Sequence, residues 1–268
     1  MNSVPIFDSL THPMPNGNWL KHSKIINNFI ENQLESMSNF NISHALAVGL
    51  GSSIGDYNES EYAKFIYKFS KKIYPIAFFD FSKIKKSNQI YSYLTYLKDL
   101  GYIGIKIHPR ISGINYSHNL LAEIIVKANE LDLGILLCTY FWNKLSSYGA
   151  SGIHGLYDLL RIIPEQKIIL MHGGCIHLLE LAEISRQFPN ILLDLSFTII
   201  KYEFSSVDLD IQYLFRHFDR RICIGSDSPE FHHSKLRERF DTFSLSIEKY
   251  KAENIAYKNL MNYFKIYE

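Results

Sequence analysis

Eight short apolar runs, each followed by a longer stretch with helical spacing, constrain this chain more than any other feature. The runs are 4–8 (VPIFD), 44–50 (HALAVGL), 73–79 (IYPIAFF), 102–108 (YIGIKIH), 133–139 (LGILLCT), 167–172 (KIILMH), 190–196 (NILLDLS) and 221–226 (RICIGS). Segments such as SEYAKFIYKFSKK, NLLAEIIVKANELD and LLELAEISRQF lie between them. Strands that alternate with amphipathic helices build a parallel sheet through right-handed crossovers. Eight such units in 268 residues, with no Pro/Gly/Ser-rich linker and no charge block, predict one α/β domain over 1–268, a (β/α)8 TIM barrel. The stretch 248–264 reads as an extra helix packed against the outside of the barrel.

Alternate residues of a strand face opposite sides, so parity sorts each run into an outer and an inner face. In the fourth run Ile103, Ile105 and Ile107 suit the helix layer, which turns Gly104, Lys106 and His108 into the barrel. A Lys and a His aimed inward need a partner or a use. For Lys106 the structural alternative is an ion pair with Asp8 or Asp194. Parity also groups Ile168 with Leu170 and His172, Leu192 with Asp194 and Ser196, and Cys223 with Gly225 and Asp227. If the first strand stays extended, Ile6, Asp8, Leu10 and His12 share a face. His12, His108, His172 and Asp227 then converge at four strand ends, the end where barrel enzymes carry their sites. Singly, each His reads as a hydrogen-bonded structural residue and the Asp as a turn former or cap. Together they mark a candidate site.

Composition narrows the partners. A formal charge of +1 gives no electrostatic argument for nucleic acid or an anionic membrane, and no apolar run approaches the ~18 residues of a membrane span. The expected partner is a small-molecule substrate; the sequence leaves open whether the chain forms a homo-oligomer. Cys138, Cys175 and Cys223 form no CxxC pair and leave one thiol unmatched, which suits a reducing, cytoplasmic setting. The first residues lack the basic and apolar regions of a secretory signal.

The motifs FDSLTHP, GYIGIKIHP, ILMHGG, PNILLDLS and RICIGSDSP, with the closing ENIAYKNLMNYF, occur in the order and spacing of the amidohydrolase superfamily, and the chain resembles its amidohydrolase-2 branch along nearly its whole length. The resemblance implies one divalent metal, held by a His-x-His pair after the first strand, a fifth-strand His and an eighth-strand Asp, with a sixth-strand His acting on the substrate. Here His172 and Asp227 match. Leu10 stands for the first His of the pair, leaving His12, and Tyr140 stands at the fifth-strand position. A Zn²⁺ site needs three or four N, O or S ligands. His12, Asp227 and His172 barely assemble three, so the expected cofactor is none, or one weakly bound divalent metal such as Zn²⁺. The superfamily includes lactonases that work without one.

The leading expectation is hydrolysis of a lactone, ester or amide of a small carboxylated substrate. Asp227 would activate the water, provided that burial raises its pKa or that cations preorganise the water. His172, with His12 beside it, would donate hydrogen bonds to the oxyanion. Lys106, His108, Arg110 and Tyr140 would bind the substrate, with Arg110 suited to a two-point contact with carboxylate. One alternative is a weakly metal-dependent hydrolase or decarboxylase; another is an inactive barrel used for binding or assembly. Two patterns compete for attention. Gly51-Ser52-Ser53-Ile54-Gly55 fits G-x-S-x-G, but it follows only the second strand, too early for a nucleophile elbow. His232-His233 reads as a solvated pair at a helix start.

Overall fold

The computed structural model of the protein describes residues 4–18, 29–51, 55, 57–141 and 152–267. Each apolar run becomes a strand: β1 (Ile6–Thr11), β2 (Ile42–Val48), β3 (Ile73–Phe78), β4 (Gly104–Ile107), β5 (Gly134–Cys138), β6 (Ile168–Met171), β7 (Ile191–Asp194) and β8 (Ile222–Cys223). Neighbours pair in parallel in the order β1-β2-β3-β4-β5-β6-β7-β8. A helix follows each strand: α1 (Ile30–Asn39), α2 (Glu59–Phe69), α3 (Ile90–Asp99), α4 (Leu121–Glu130), α5 (Ile153–Ile162), α6 (Leu178–Arg186), α7 (Val207–His217) and α8 (His233–Ser244). The expected (β/α)8 barrel is the observed fold.

Spacing explains the helices. In α4, Leu121, Ile124, Ile125 and Ala128 recur at three- and four-residue intervals and are all buried, the stripe that a helix needs to lie on a sheet. These residues join Ile105 and Ile107 of β4 in the layer between sheet and helices. A second cluster fills the bore: Phe7, Leu46, Ile76, Leu136, Ile169, Leu192 and Cys223, contributed by seven strands. β4 contributes Gly104 at this level, because a Cβ there would lie 2.7 Å from the Gly134 carbonyl oxygen. The bore is therefore packed at its base and polar only above it.

Two expectations are corrected. The C-terminal segment, helical over Lys249–Glu253 and Asn259–Phe264, packs on the outside of the barrel only in its first half, where Ala252, Ile255 and Ala256 join the layer between sheet and helices. Leu260 enters the bore cluster, Phe264 covers Gly134, and Tyr263 Oη accepts the Ile135 N–H at 3.0 Å. The segment closes the amino-terminal end of the barrel. Asn259 fixes it by donating to the Asp219 and Ile222 carbonyls, each at 2.7 Å. The shared face of Ile6, Asp8, Leu10 and His12 is also broken, because the β1–β2 register shifts between Ile6 and Phe7 and again between Asp8 and Thr11. Ile6 packs outward, while Phe7 and Leu10 enter the bore cluster. Among the described residues no helix is long and apolar enough to cross a membrane.

The seam between β8 and β1 is held by Ser9 N–H to Ile224 O (3.1 Å), Asp227 N–H to Leu10 O (2.9 Å) and His12 N–H to Ser228 O (2.8 Å). Gly225 makes this approach possible. A Cβ there would lie 2.3 Å from Ser9 Oγ, 2.9 Å from Asp8 Oδ1 and 3.0 Å from the Leu10 nitrogen. Gly225→Ala should therefore destabilise the barrel by about 1–3 kcal/mol, the usual cost of overpacking. Urea unfolding would measure the loss, and an unchanged midpoint would contradict this account of the seam.

Candidate active site

The carboxyl end of the barrel gathers the polar residues. Lys106 and His108 extend from β4 with the inward parity expected of them and are 2% and 4% exposed. On the far side of the barrel, His12 follows β1 and Asp227 follows β8, and His12 Nε2 lies 3.2 Å from Asp227 Oδ1. His12 Nδ1 is 2.8 Å from the Val48 carbonyl. A carbonyl only accepts, so Nδ1 carries the proton and the neutral ring turns the lone pair of Nε2 toward Asp227. The pair can take up one proton, shared between Nε2 and Oδ1.

His172 also reaches the site, though not by strand parity. Ile168 and Leu170, expected on its face, pack outward, whereas Ile169 and Met171 fill the bore. His172 leaves the strand at φ +66°, a left-handed conformation that reorients its side chain. Its Nδ1 lies 3.2 Å from the Ser196 carbonyl, so this ring too is protonated at Nδ1 when neutral. Its Nε2 then accepts; the expected role as an oxyanion donor is open to it only once it is protonated.

Asp194, which sequence reasoning placed on the inner face but gave no role in the site, organises this corner. It is fully buried and accepts hydrogen bonds from Ser9 Oγ, Ser196 Oγ, the Ser196 N–H (3.1 Å) and the His172 N–H (3.2 Å). Phe197, also missed, stands at φ +65° and joins His172 (ring centroids 5.9 Å apart) to Tyr140 (5.7 Å, edge-to-face). The guanidinium of Arg110 lies 4.7 Å from the centre of the Tyr140 ring, a cation–π contact. Tyr140 and Arg110 thus form one side wall.

Other expectations resolve differently. Neither Asp8 nor Asp194 pairs with Lys106. Asp8 turns to the seam, where Oδ1 accepts the Leu10 N–H (3.0 Å) and the Ser226 N–H (2.9 Å), and Oδ2 accepts Ser226 Oγ (2.5 Å) and sits 3.3 Å from His233 Nε2. His232 is exposed and caps α8 through Ser234, but His233 is 1% exposed against Asp8, so the two are not a solvated pair. Of the G-x-S-x-G stretch, 52–54 lie outside the described residues.

Burial sets the protonation states. It holds His12 below, and His108 well below, the usual imidazole value, and lowers His172 to about 4. Burial pushes the Asp227 carboxyl up, but in acid, once the rings are protonated, the His12 hydrogen bond and the charges of His172, His12 and Lys106 outweigh it and leave Asp227 at about 2. Of the two ways sequence reasoning allowed for Asp227 to work as a base, burial therefore does not raise its pKa, and preorganisation by neighbouring cations remains.

A divalent metal does not fit this donor set. His12 offers only Nε2, already against Asp227; Leu10 is fully buried in the bore; Tyr140 is engaged with Arg110; and the Lys106 charge acts on both His12 and Asp227. Among the described residues no group of three His, Cys, Asp or Glu side chains is arranged to hold a metal.

No family model and no curated protein matches the chain. Solved structures do match. An uncharacterised TIM-barrel protein from Bordetella bronchiseptica has a TM-score of 0.79 at 16% identity, over 97% of this chain and 98% of that one. A probable 2-pyrone-4,6-dicarboxylic acid hydrolase from Acinetobacter baumannii, with citric acid bound, has a TM-score of 0.70 at 14% identity, over 97% and 99%. A 2,6-dihydroxybenzoate decarboxylase from Rhizobium has a TM-score of 0.71 at 12% identity, over 98% and 99%. At these identities the likeness is one of fold.

Two buried groups should leave opposing marks on acid stability. The unfolded chain protonates His172 below 6.5, whereas the folded site resists until about 4, so stability is lost as pH falls through this window. Burial raises Asp194 from 3.8 to about 6, so its contribution has the opposite sign and stability falls as pH rises from about 4 to 6. In denaturant titrations across this range, His172→Asn should flatten the acid loss and Asp194→Asn should steepen it. Parallel curves for the wild type and both variants would refute these assignments.

Proposed function

We propose that this protein is an amidohydrolase-like hydrolase of the amidohydrolase-2 branch. In this reading it cleaves a C–O or C–N bond of a small carboxylated lactone, ester or amide with water activated at Asp227. The observation that carries the reading is the His12–Asp227 contact. His12 Nδ1 is held by the Val48 carbonyl, so the pair offers a carboxylate and an unprotonated Nε2 3.2 Å apart. Water attacks the carbonyl carbon and its proton passes to this pair. The C–O or C–N bond then breaks, and the leaving oxygen or nitrogen takes a proton, with the sixth-strand His172 as carrier. A carboxylate near 2 is a weak base on its own. Orientation by His12 and a fixed water position supply what its basicity lacks. Arg110, against the Tyr140 ring, suits a substrate carboxylate through paired N–H donors, and Lys106 and His108 line the same, β4 side of the pocket.

The names of the fold neighbours support a carboxylated substrate, since one is a hydrolase of a dicarboxylic acid and another a decarboxylase of a benzoate. The second name also keeps decarboxylation as the competing reading; release of CO₂ rather than consumption of water separates the two. Three buried cysteines without disulfides fit a reducing compartment such as the cytoplasm.

Asp227→Asn is nearly isosteric. On a lactone, ester or amide that the wild type turns over, it should leave KM close to its original value and lower kcat by roughly 10²–10⁴-fold. His172→Asn should also lower kcat, and the double variant should lose far less than the product of the two factors. Dialysis against EDTA should leave wild-type turnover unchanged. A lower melting temperature with an unchanged rate per folded molecule would make Asp227 structural and defeat the mechanism.

A further inference from the structure

We propose that Lys106 and His108 form an anion subsite on the axis of the barrel, which takes a carboxylate or carbonyl oxyanion of the substrate in the region where related barrels use a metal. The inference rests on the pocket of the proposed hydrolase but not on its chemistry.

Lys106 is 2% exposed, yet among the described residues it makes no hydrogen bond and no ion pair. A buried lysine in a stable fold is ordinarily paired, since an uncompensated charge is costly to desolvate. Two residues along the same inward face, His108 is 4% exposed, and its Nδ1 has no hydrogen-bond partner. The two Cα atoms are about 6.6 Å apart along a strand, and the four-carbon stem of the lysine spans that distance. Both groups rise above a bore floor of apolar side chains, with Phe78 and Leu136 in register beside Lys106. The His108 nitrogen is fully enclosed without a partner, while the Lys106 ammonium, also without a hydrogen bond, opens onto the pocket; a ligand that enters there can satisfy both.

Placement on the axis follows from reach. The charge of Lys106 acts on His12, on His172 and on Asp227, residues that follow β1, β6 and β8, as well as on Asp194 of β7 and Cys138 of β5. This reach agrees with the geometry, in which Lys106 is buried on the inward face of β4, in register with Leu136 of the bore cluster.

The chemistry of the ligand follows from what faces what. Opposite β4 in the strand order lies β8. On that side the groups accept: the Asp227 carboxylate and the Nε2 atoms of His12 and His172, whose Nδ1 protons are committed to backbone carbonyls. On the β4 side the free group of Lys106 is a donor without an acceptor. A carbonyl fits between the two, its oxygen on the ammonium and its carbon turned to a water on Asp227. The same ammonium excludes a divalent cation, which explains why Leu10 and Tyr140 are tolerated where imidazoles would complete a metal site.

The test uses benzoate as probe, a planar carboxylate able to lie against Tyr140, with sodium chloride at matched ionic strength as control. Wild type, Lys106→Met and Arg110→Met are compared by melting temperature and calorimetric affinity, with and without one equivalent of ZnCl₂. Benzoate should stabilise the wild type, and Zn²⁺ should not. Lys106→Met should melt close to the wild type without ligand, because the attraction lost to Asp227 and Asp194 is offset by removal of a buried charge that has no hydrogen bond. It should also lose at least tenfold in benzoate affinity, more than Arg110→Met loses. Lys106→Gln, read the same way, guards against a packing defect peculiar to methionine. Absence of benzoate binding by the wild type, or stoichiometric Zn²⁺ binding by it, overturns the proposal. So does destabilisation of both Lys106 variants with benzoate affinity retained, the signature of a structural lysine. Benzoate binding lost in the Lys106 variants would stand even if Asp227→Asn proved harmless to turnover, so the two readings fail separately.

Discussion

A fully buried carboxylate at the seam of the barrel governs the rest of the architecture. Asp8 accepts from Leu10, twice from Ser226 and faces His233, which ties β1 to the exit of β8 and to the start of α8. A buried carboxylate is tolerated only while such donors surround it. Satisfying them bends β1, so its register against β2 slips between Asp8 and Thr11. The slip carries His12 to the Val48 carbonyl and to Asp227. Closure of the fold and assembly of its proton-accepting pair are the same structural event.

A second constraint acts at the strand exits. His172, Phe197 and Asp227, following β6, β7 and β8, have φ values of +66°, +65° and +57°. None is glycine, and each such conformation costs of order 1–3 kcal/mol unless its surroundings enforce it. The enforcement is visible. Asp194 holds the His172 and Ser196 N–H groups, Thr198 Oγ1 donates to the His172 carbonyl at 2.6 Å, and the Asp227 N–H is bonded to Leu10 across the seam. At His172 the turn aims a side chain that the regular strand would direct elsewhere, and three of the left-handed residues thus stand where the chemistry is proposed.

This division explains what could be read from the sequence. β4 runs without a bulge, so parity alone placed Lys106 and His108 inside and Ile105 and Ile107 outside. β1 and β6 defeat parity, because a register slip and a left-handed residue reset it, and neither leaves a mark in residue type: Asp8 and His172 look like ordinary strand residues. The convergence of His12 with Asp227 was legible from their strand ends. The tautomers were not, since they depend on the carbonyls of Val48 and Ser196, supplied by distant segments. The C-terminal helix was legible as a helix, but its docking depends on the gap left at Gly134, where Phe264 lies.

The two sides of the pocket therefore have different physical origins. The acceptor side is built from turns whose geometry is locked by buried carboxylates and backbone hydrogen bonds, whereas the donor side is a plain stretch of strand whose positions follow from register alone. Lys106 adds nothing to the hydrogen bonding of the fold, and its burial opposes stability. A residue selected for packing at that position would resemble its neighbours in register, Phe78 and Leu136. A lysine there, beside a histidine with an unmatched nitrogen, makes sense only in a complex, in which a ligand supplies the acceptor that the protein withholds. The barrel poises acceptors on one side and leaves the Lys106 donor without a hydrogen bond on the other. That asymmetry orients a polar carbonyl before any bond is broken.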